Sequence, residues 1–201
     1  MVLFSIPIIP ANYSWLLTVL CLIMKILAFG ASSSSSSINQ KFAVFAAHQI
    51  EDAEVTILDL NDFEMPIFSM DREIATGIPE LAKDFKQHIA NADGVIISLA
   101  EHNSSYTAAF KNILDWISRL EGKIWLNKPF FLMATSPGGR GGQTALGQAT
   151  GTFPHQGGEV IAQFSLPFFS KNFSANEGIV DNDLKNVFTN QLNAFISNLT
   201  S

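Results

Sequence analysis

Apolar residues along this chain come in two rhythms. Five short runs are almost unbroken: KILAFGA (Lys25–Ala31), AEVTILDL (Ala53–Leu60), DGVIISLA (Asp93–Ala100), KPFFLMATS (Lys128–Ser136) and GEVIAQFSL (Gly158–Leu166). Each is too short for a core helix and rich in β-branched or aromatic residues, so each predicts a buried strand. Between the runs, apolar residues recur every three or four positions, which predicts helices packed through one face. Ile38, Phe42, Phe45, Ala46 and Ile50 mark the first helix; Leu81, Phe85 and Ile89 mark another, opened by Pro79 at its first turn. TAAFKNILDWISRL (Thr107–Leu120) is amphipathic, TALGQATGTFPHQG is a weak, glycine-containing helix, and the last segment, from Asp181, carries the clearest stripe. Asn61–Gly77 has no clean period and contains Pro66, so it reads as a long connection.

Strands alternating with helices imply right-handed crossovers and a parallel sheet covered on both faces. The expected architecture is one doubly wound α/β domain over residues 24–201. In such sheets ligands bind beyond the carboxyl ends of the strands. The loops leaving the first, third and fourth strands there are ASSSSSSIN, AEHNSSYT and SPGGRGGQ, all rich in Gly, Ser or Asn. A run of six serines, Ser32–Ser37, is ordinarily a flexible linker. Here it joins a strand to a helix, where free first-turn N–H groups and the positive end of the helix dipole converge, so it reads better as a phosphate cradle.

Composition narrows the chemistry. With 12 basic against 18 acidic residues the net charge is −6, so the chain has no polyanion-binding surface and nucleic acid is excluded as a partner. The single cysteine, Cys21, leaves no internal disulfide or cysteine-built zinc site. His48, His88, His102 and His155 show no ligand spacing, so no metal is expected, and no G-x-S-x-G elbow marks a hydrolase. Residues 1–23 contain no charged side chain and are long enough to cross a bilayer, yet they lack a basic start, contain Pro7, Pro10 and Asn12, and run without a linker into the first strand. The expectation is a misassigned start, with Met24 the initiator, rather than a membrane anchor, and a cytoplasmic protein.

The three loops together resemble the NADPH-dependent FMN reductase family, the flavodoxin-like group that includes chromate, quinone and azo-dye reductases. The family's phosphate loop, G-S-x-R-x-x-S-x-N, aligns with Ala31–Asn39: Ser32, Ser37 and Asn39 match, while Ala31 replaces the glycine and Ser34 the arginine. AEHNSSYTAAFKNILDW, Ala100–Trp116, follows the pattern P-E-Y-N-x-S-x-P-x-x-L-K-N-x-x-D-W, with His102 in place of a tyrosine. TSPGGRGG, Thr135–Gly142, is close to S-x-G-G-x-G-G.

The resemblance implies a three-layer sandwich with strand order 2-1-3-4-5 and helices on both faces. It implies FMN held by Ser32, Ser34, Ser37, Ile38 and Asn39 at the phosphate, by Glu101, His102, Asn103 and Ser104 at the reactive edge of the ring, and by Ser136, Gly138 and Gly139 along the isoalloxazine. NADPH or NADH would be the co-substrate and a quinone, metal oxyanion, azo compound or free flavin the acceptor, with no catalytic side chain demanded. A homodimer or tetramer is implied, with Thr107–Leu120 and Trp116 near the contact. A flavodoxin-type electron carrier and a non-catalytic flavin-binding module are the alternatives.

Overall fold

The computed structural model describes residues 23–201. The expectation about the start of the chain therefore lies outside the described residues. Five strands pair in parallel: β1 (Met24–Ala31), β2 (Ala53–Leu58), β3 (Gly94–Leu99), β4 (Lys128–Thr135) and β5 (Gly158–Leu166), in the order β2-β1-β3-β4-β5. This is the 2-1-3-4-5 order that the resemblance implied, and its switch point lies between β1 and β3.

Period two along each strand sorts the side chains into two cores. Leu27, Phe29, Val95, Ile97, Phe130 and Leu132 meet α3 (Glu80–Asn91), α4 (Ala108–Ile117) and α5 (Gln143–Thr152) on one face. Ile26, Ala28, Ile96, Phe131, Met133 and Phe164 meet α1 (Ile38–Ala47) and α6 (Asn182–Leu199) on the other. Because both faces are covered, the strands read in sequence as unbroken apolar runs rather than as alternation.

The stretch 61–77 departs from the expected plain connection. It holds a short 3-10 turn, Leu60–Phe63, and a helix, α2 (Met70–Thr76). Ser69 caps α2 by accepting the Arg72 N–H, and Gly77 ends it at φ 76°. The helix buries none of its residues, so no apolar stripe announces it. Its approach is fixed from behind: the Asn112 carboxamide accepts the Phe68 N–H at 2.8 Å and donates to the Met65 carbonyl at 3.0 Å. Trp116 is fully buried, donates its indole N–H to the Pro66 carbonyl at 2.6 Å and meets Phe68 edge-on at 5.1 Å. Trp116 thus belongs to the core of its own chain.

At the carboxyl end of β1, helix α1 lies directly on the strand. A Cβ on Gly30 would stand 2.3 Å from the Gln40 backbone nitrogen, a distance no side chain tolerates. That approach lets Gln40 accept the Gly30 N–H at 2.6 Å and donate to the Leu58 carbonyl at 2.9 Å, joining the ends of β1 and β2. Gly30→Ala is therefore expected to push α1 off the sheet and cost about 3 kcal/mol, a fall of roughly 6–12 °C in Tm. A melting temperature equal to the parent's would show that α1 can move away freely.

Candidate functional site

The loops leaving β1, β3 and β4 enclose an open cleft of about 270 Å³ at the carboxyl edge of the sheet. Its walls include Ser32, Ser34, Ser37, Ile38, Asn39, Glu101, His102 and Ser136 from the residues the sequence nominated. Ser36, Ala100, Thr135 and Pro137 complete it. These four carry no motif signal of their own, although each adjoins an expected site residue at the exit of a strand or the entry to α1. Asn103, Ser104, Gly138 and Gly139 stand outside the cleft wall.

Local backbone explains the difference. AEHNSSYT is a hairpin, with Glu101–His102 paired antiparallel to Ser105–Tyr106. Asn103 and Ser104 form its tip at φ 51° and 63° and point into solvent. Positive φ at both central positions matches the right-handed twist of a tight hairpin turn. Gly138 and Gly139 lie further along a loop that leaves the cleft after Pro137, where the Gly138 carbonyl accepts the Phe168 N–H at 3.0 Å.

The serine run is ordered by its own hydroxyls and backbone. Ser32 donates its N–H to the Gly30 carbonyl at 2.8 Å, its hydroxyl accepts the Ser34 N–H at 3.2 Å, and the Ser37 N–H reaches the Ser34 carbonyl at 3.0 Å. The Ser37 hydroxyl then caps α1 by accepting the Gln40 N–H at 3.1 Å. The backbone N–H groups of Ser33, Ser35, Ser36, Ile38 and Asn39 donate to no other described residue. The Ser34 and Ser36 hydroxyls sit 3.4 Å apart on the cleft wall. Free N–H groups, paired hydroxyls and a helix N-terminus make a site for an anion with several oxygens. Among the described residues no lysine or arginine lines the cleft, so an anion placed there would be met by dipoles alone.

One buried side chain ties the three walls together. Asn39 donates its Nδ2 to the Thr135 carbonyl and accepts the Thr135 N–H on Oδ1, both at 3.1 Å, while the Ser98 hydroxyl donates to the same Oδ1 at 2.8 Å. Helix α1 is thereby latched to the ends of β3 and β4. With its carboxamide so engaged, Asn39 offers the cleft its backbone N–H.

Glu101 is likewise occupied. Its Oε2 accepts the N–H groups of Thr144 at 2.8 Å and Ala145 at 3.1 Å, capping α5, whose own N-cap residue Gly142 has no side chain to do so. Thr107 caps α4 and also donates its hydroxyl to the Ala31 carbonyl at 2.9 Å, binding the foot of the hairpin to the serine loop. Burial pushes the Tyr106 phenol above its ordinary value, opposed by the hydrogen bond with Thr152, and the ring meets Phe110 edge-on. Among the lining residues His102 is the one exposed titratable side chain. Among the described residues no group of three or more His, Cys, Asp or Glu gathers to hold a metal, and no helix is long and apolar enough to cross a membrane.

Asn39→Ala leaves the buried Thr135 amide and Ser98 hydroxyl without partners, at a cost of about 2–4 kcal/mol in total. The expected signature is rapid hydrogen exchange at the Thr135 amide together with a lower melting temperature. Parental protection of that amide in the variant would remove the latch.

The sequence profile described as NADPH-dependent FMN reductase matches residues 24–171. A 2-hydroxy-1,4-benzoquinone reductase from a Burkholderia species is 35% identical over 128 residues, 63% of this chain and 67% of that protein. An NADPH:quinone oxidoreductase from Arabidopsis thaliana is 34% identical over 80 residues, only 40% of its own length and 40% of this chain. In fold, the chain is like the flavoenzyme NAD(P)H:(acceptor) oxidoreductase from Paracoccus denitrificans, with a TM-score of 0.71 at 23% identity over 89% of this chain and 98% of that one. With its five-stranded sheet, its ordered serine loop and a profile match running from the first strand to beyond the last, this chain belongs to the NADPH-dependent FMN reductase family.

Proposed function

We propose that the chain is an FMN-dependent NAD(P)H oxidoreductase that passes electrons from a nicotinamide to a small acceptor such as a quinone, an azo compound, a metal oxyanion or free flavin. The observation that carries this reading is the serine loop: an anion cradle with unengaged N–H groups, opening beside two further loops at the switch point of a parallel sheet. FMN fits these groups. Its phosphate would take the N–H groups of the serine loop and the hydroxyls of Ser34 and Ser36, and its ring the backbone of Ala100–His102 and Thr135–Pro137. When bound, FMN supplies the hydride chemistry, accepting from the nicotinamide and passing electrons on.

The protein's part is to hold and orient. Dipoles fixed by folding, rather than a mobile cation, neutralise the phosphate, so little is lost to ordering on binding. Glu101, by capping α5, keeps the hairpin and the glycine-rich loop in register on either side of the ring site. The cleft is open, so nicotinamide and acceptor can use one entrance in turn, in a ping-pong cycle. The electron-carrier alternative lacks the nicotinamide half of that cycle. The names of the relatives, quinone reductase and NADPH azoreductase among them, support the acceptor classes.

A homodimer is part of the proposal. Ile67, Met70 and Ile74 are exposed on and just before α2, a helix with no buried face of its own, and a second subunit would cover them. A monomeric mass by light scattering at micromolar concentration, with full activity, would remove this part.

Purified protein saturated with FMN should bleach on anaerobic mixing with NADPH or NADH and regain its colour on addition of a quinone; flavin that binds but stays oxidised would leave only the binding-module reading. Ser34→Arg restores the cation at the position where the family carries arginine and should tighten FMN binding about tenfold, while Ser34→Asp should weaken it at least as much. Equal dissociation constants for the two variants would place the phosphate elsewhere.

A further inference from the structure

Phe168 is the exposed phenylalanine among the described residues, with 47% of its surface accessible. It also occupies left-handed backbone, φ 48° and ψ 59°, which a bulky side chain rarely adopts. A residue kept in such a conformation is over-determined by its surroundings, and Phe168 is. Its N–H donates to the Gly138 carbonyl at 3.0 Å and the next N–H, from Phe169, donates to the Ser136 carbonyl at 3.1 Å. The Phe168 carbonyl accepts the N–H groups of Lys171 at 2.8 Å and Asn172 at 3.0 Å, and the buried Asn172 side chain donates to the Pro167 carbonyl at 2.8 Å. The exit of β5 is thus fastened along the glycine-rich loop.

The ring's seat is equally specific. It lies over Gly139, where a Cβ would stand 2.8 Å from the ring's Cζ. The fold therefore places a phenyl ring, in strained left-handed backbone, over Gly139, two residues beyond the Ser136–Pro137 wall of the cleft. Core packing does not account for it, because the neighbouring Phe169 and Leu166 fill the interior while Phe168 keeps half of its surface in water.

We propose that Phe168 is a specificity-determining residue, an aromatic platform at the outer end of the glycine-rich loop that recognises planar aromatic acceptors, quinones and azo compounds, over small inorganic anions. Offset or edge contact between rings favours such acceptors, whereas an oxyanion gains nothing from a phenyl face. The inference rests on the flavoenzyme reading above and adds the residue that selects among its acceptors.

The test uses the full-length FMN-loaded protein and three variants. Phe168→Asn tolerates left-handed backbone and removes the ring, Phe168→Leu keeps bulk without aromaticity, and Phe168→Tyr keeps the ring. With a naphthoquinone as acceptor, KM should rise about three- to tenfold in the Asn and Leu variants and stay at the parent value in the Tyr variant. With ferricyanide, KM should not change in any of them, and FMN affinity and the rate of anaerobic flavin reduction should also hold. Equal shifts for both acceptors would show a distorted loop and overturn the platform. Normal flavin reduction with an unchanged naphthoquinone KM would overturn Phe168 alone, while a protein that takes up no FMN, or whose flavin is not reduced, would sink the oxidoreductase reading and this assignment with it.

Discussion

The carboxamide of Asn39 is the joint on which the candidate site depends. Three loops from three strands must keep their positions to within the length of a hydrogen bond, yet each is a surface segment that on its own would wander. One buried side chain at the start of α1 satisfies the backbone of Thr135 in both directions and takes the Ser98 hydroxyl as well. A carboxamide suits this place because it presents a donor and an acceptor side by side, matching the peptide edge it meets. Burial makes the arrangement strict, since any member left unpaired would carry its full desolvation cost.

Around that joint the loops hold one another by caps. Ser37 caps α1, Thr107 caps α4 while holding the Ala31 carbonyl, and Glu101 reaches across to cap α5. Each cap satisfies orphan N–H groups at a helix start and, in the last two cases, ties one wall of the cleft to another element. In the serine loop the N–H groups of Ser33, Ser35, Ser36, Ile38 and Asn39 keep no partner among the described residues. A site assembled this way offers an anion dipoles that are already fixed by the fold.

Several large apolar groups stay exposed among the described residues. Ile67, Met70 and Ile74 border α2, and Phe168 rises beside the glycine-rich loop. Charged pairs nearby, such as Arg119 with Glu73 at 2.8 Å, are surface pairs and contribute little by themselves. Orientation of α2 falls instead to backbone-directed contacts from Asn112 and Trp116, which explains how a helix with no buried residue keeps its place.

Much of this was legible in the chain. Runs such as GVIISL, short, unbroken and rich in β-branched residues, read as strands covered on both faces, and stripes such as Leu192 with Phe188 and Phe195 read as helices facing them, so the sheet and its two layers follow from pattern and length together. The place of the cleft followed too, because loops rich in small residues left the strands at one edge of the sheet. Tertiary structure decided what each loop residue does. The sequence presents Asn39, Glu101 and Ser37 alike as polar loop residues, but folding turns the first into a latch, the second into a distant helix cap and the third into a local one, because their partners lie 96, 43 and 3 positions away. Nor does periodicity reveal α2, which buries nothing, or the left-handed turn that lifts Phe168 out of an otherwise buried phenylalanine cluster. Both are set by contacts with segments remote in the chain, and a pattern of neighbours along a sequence carries no record of those.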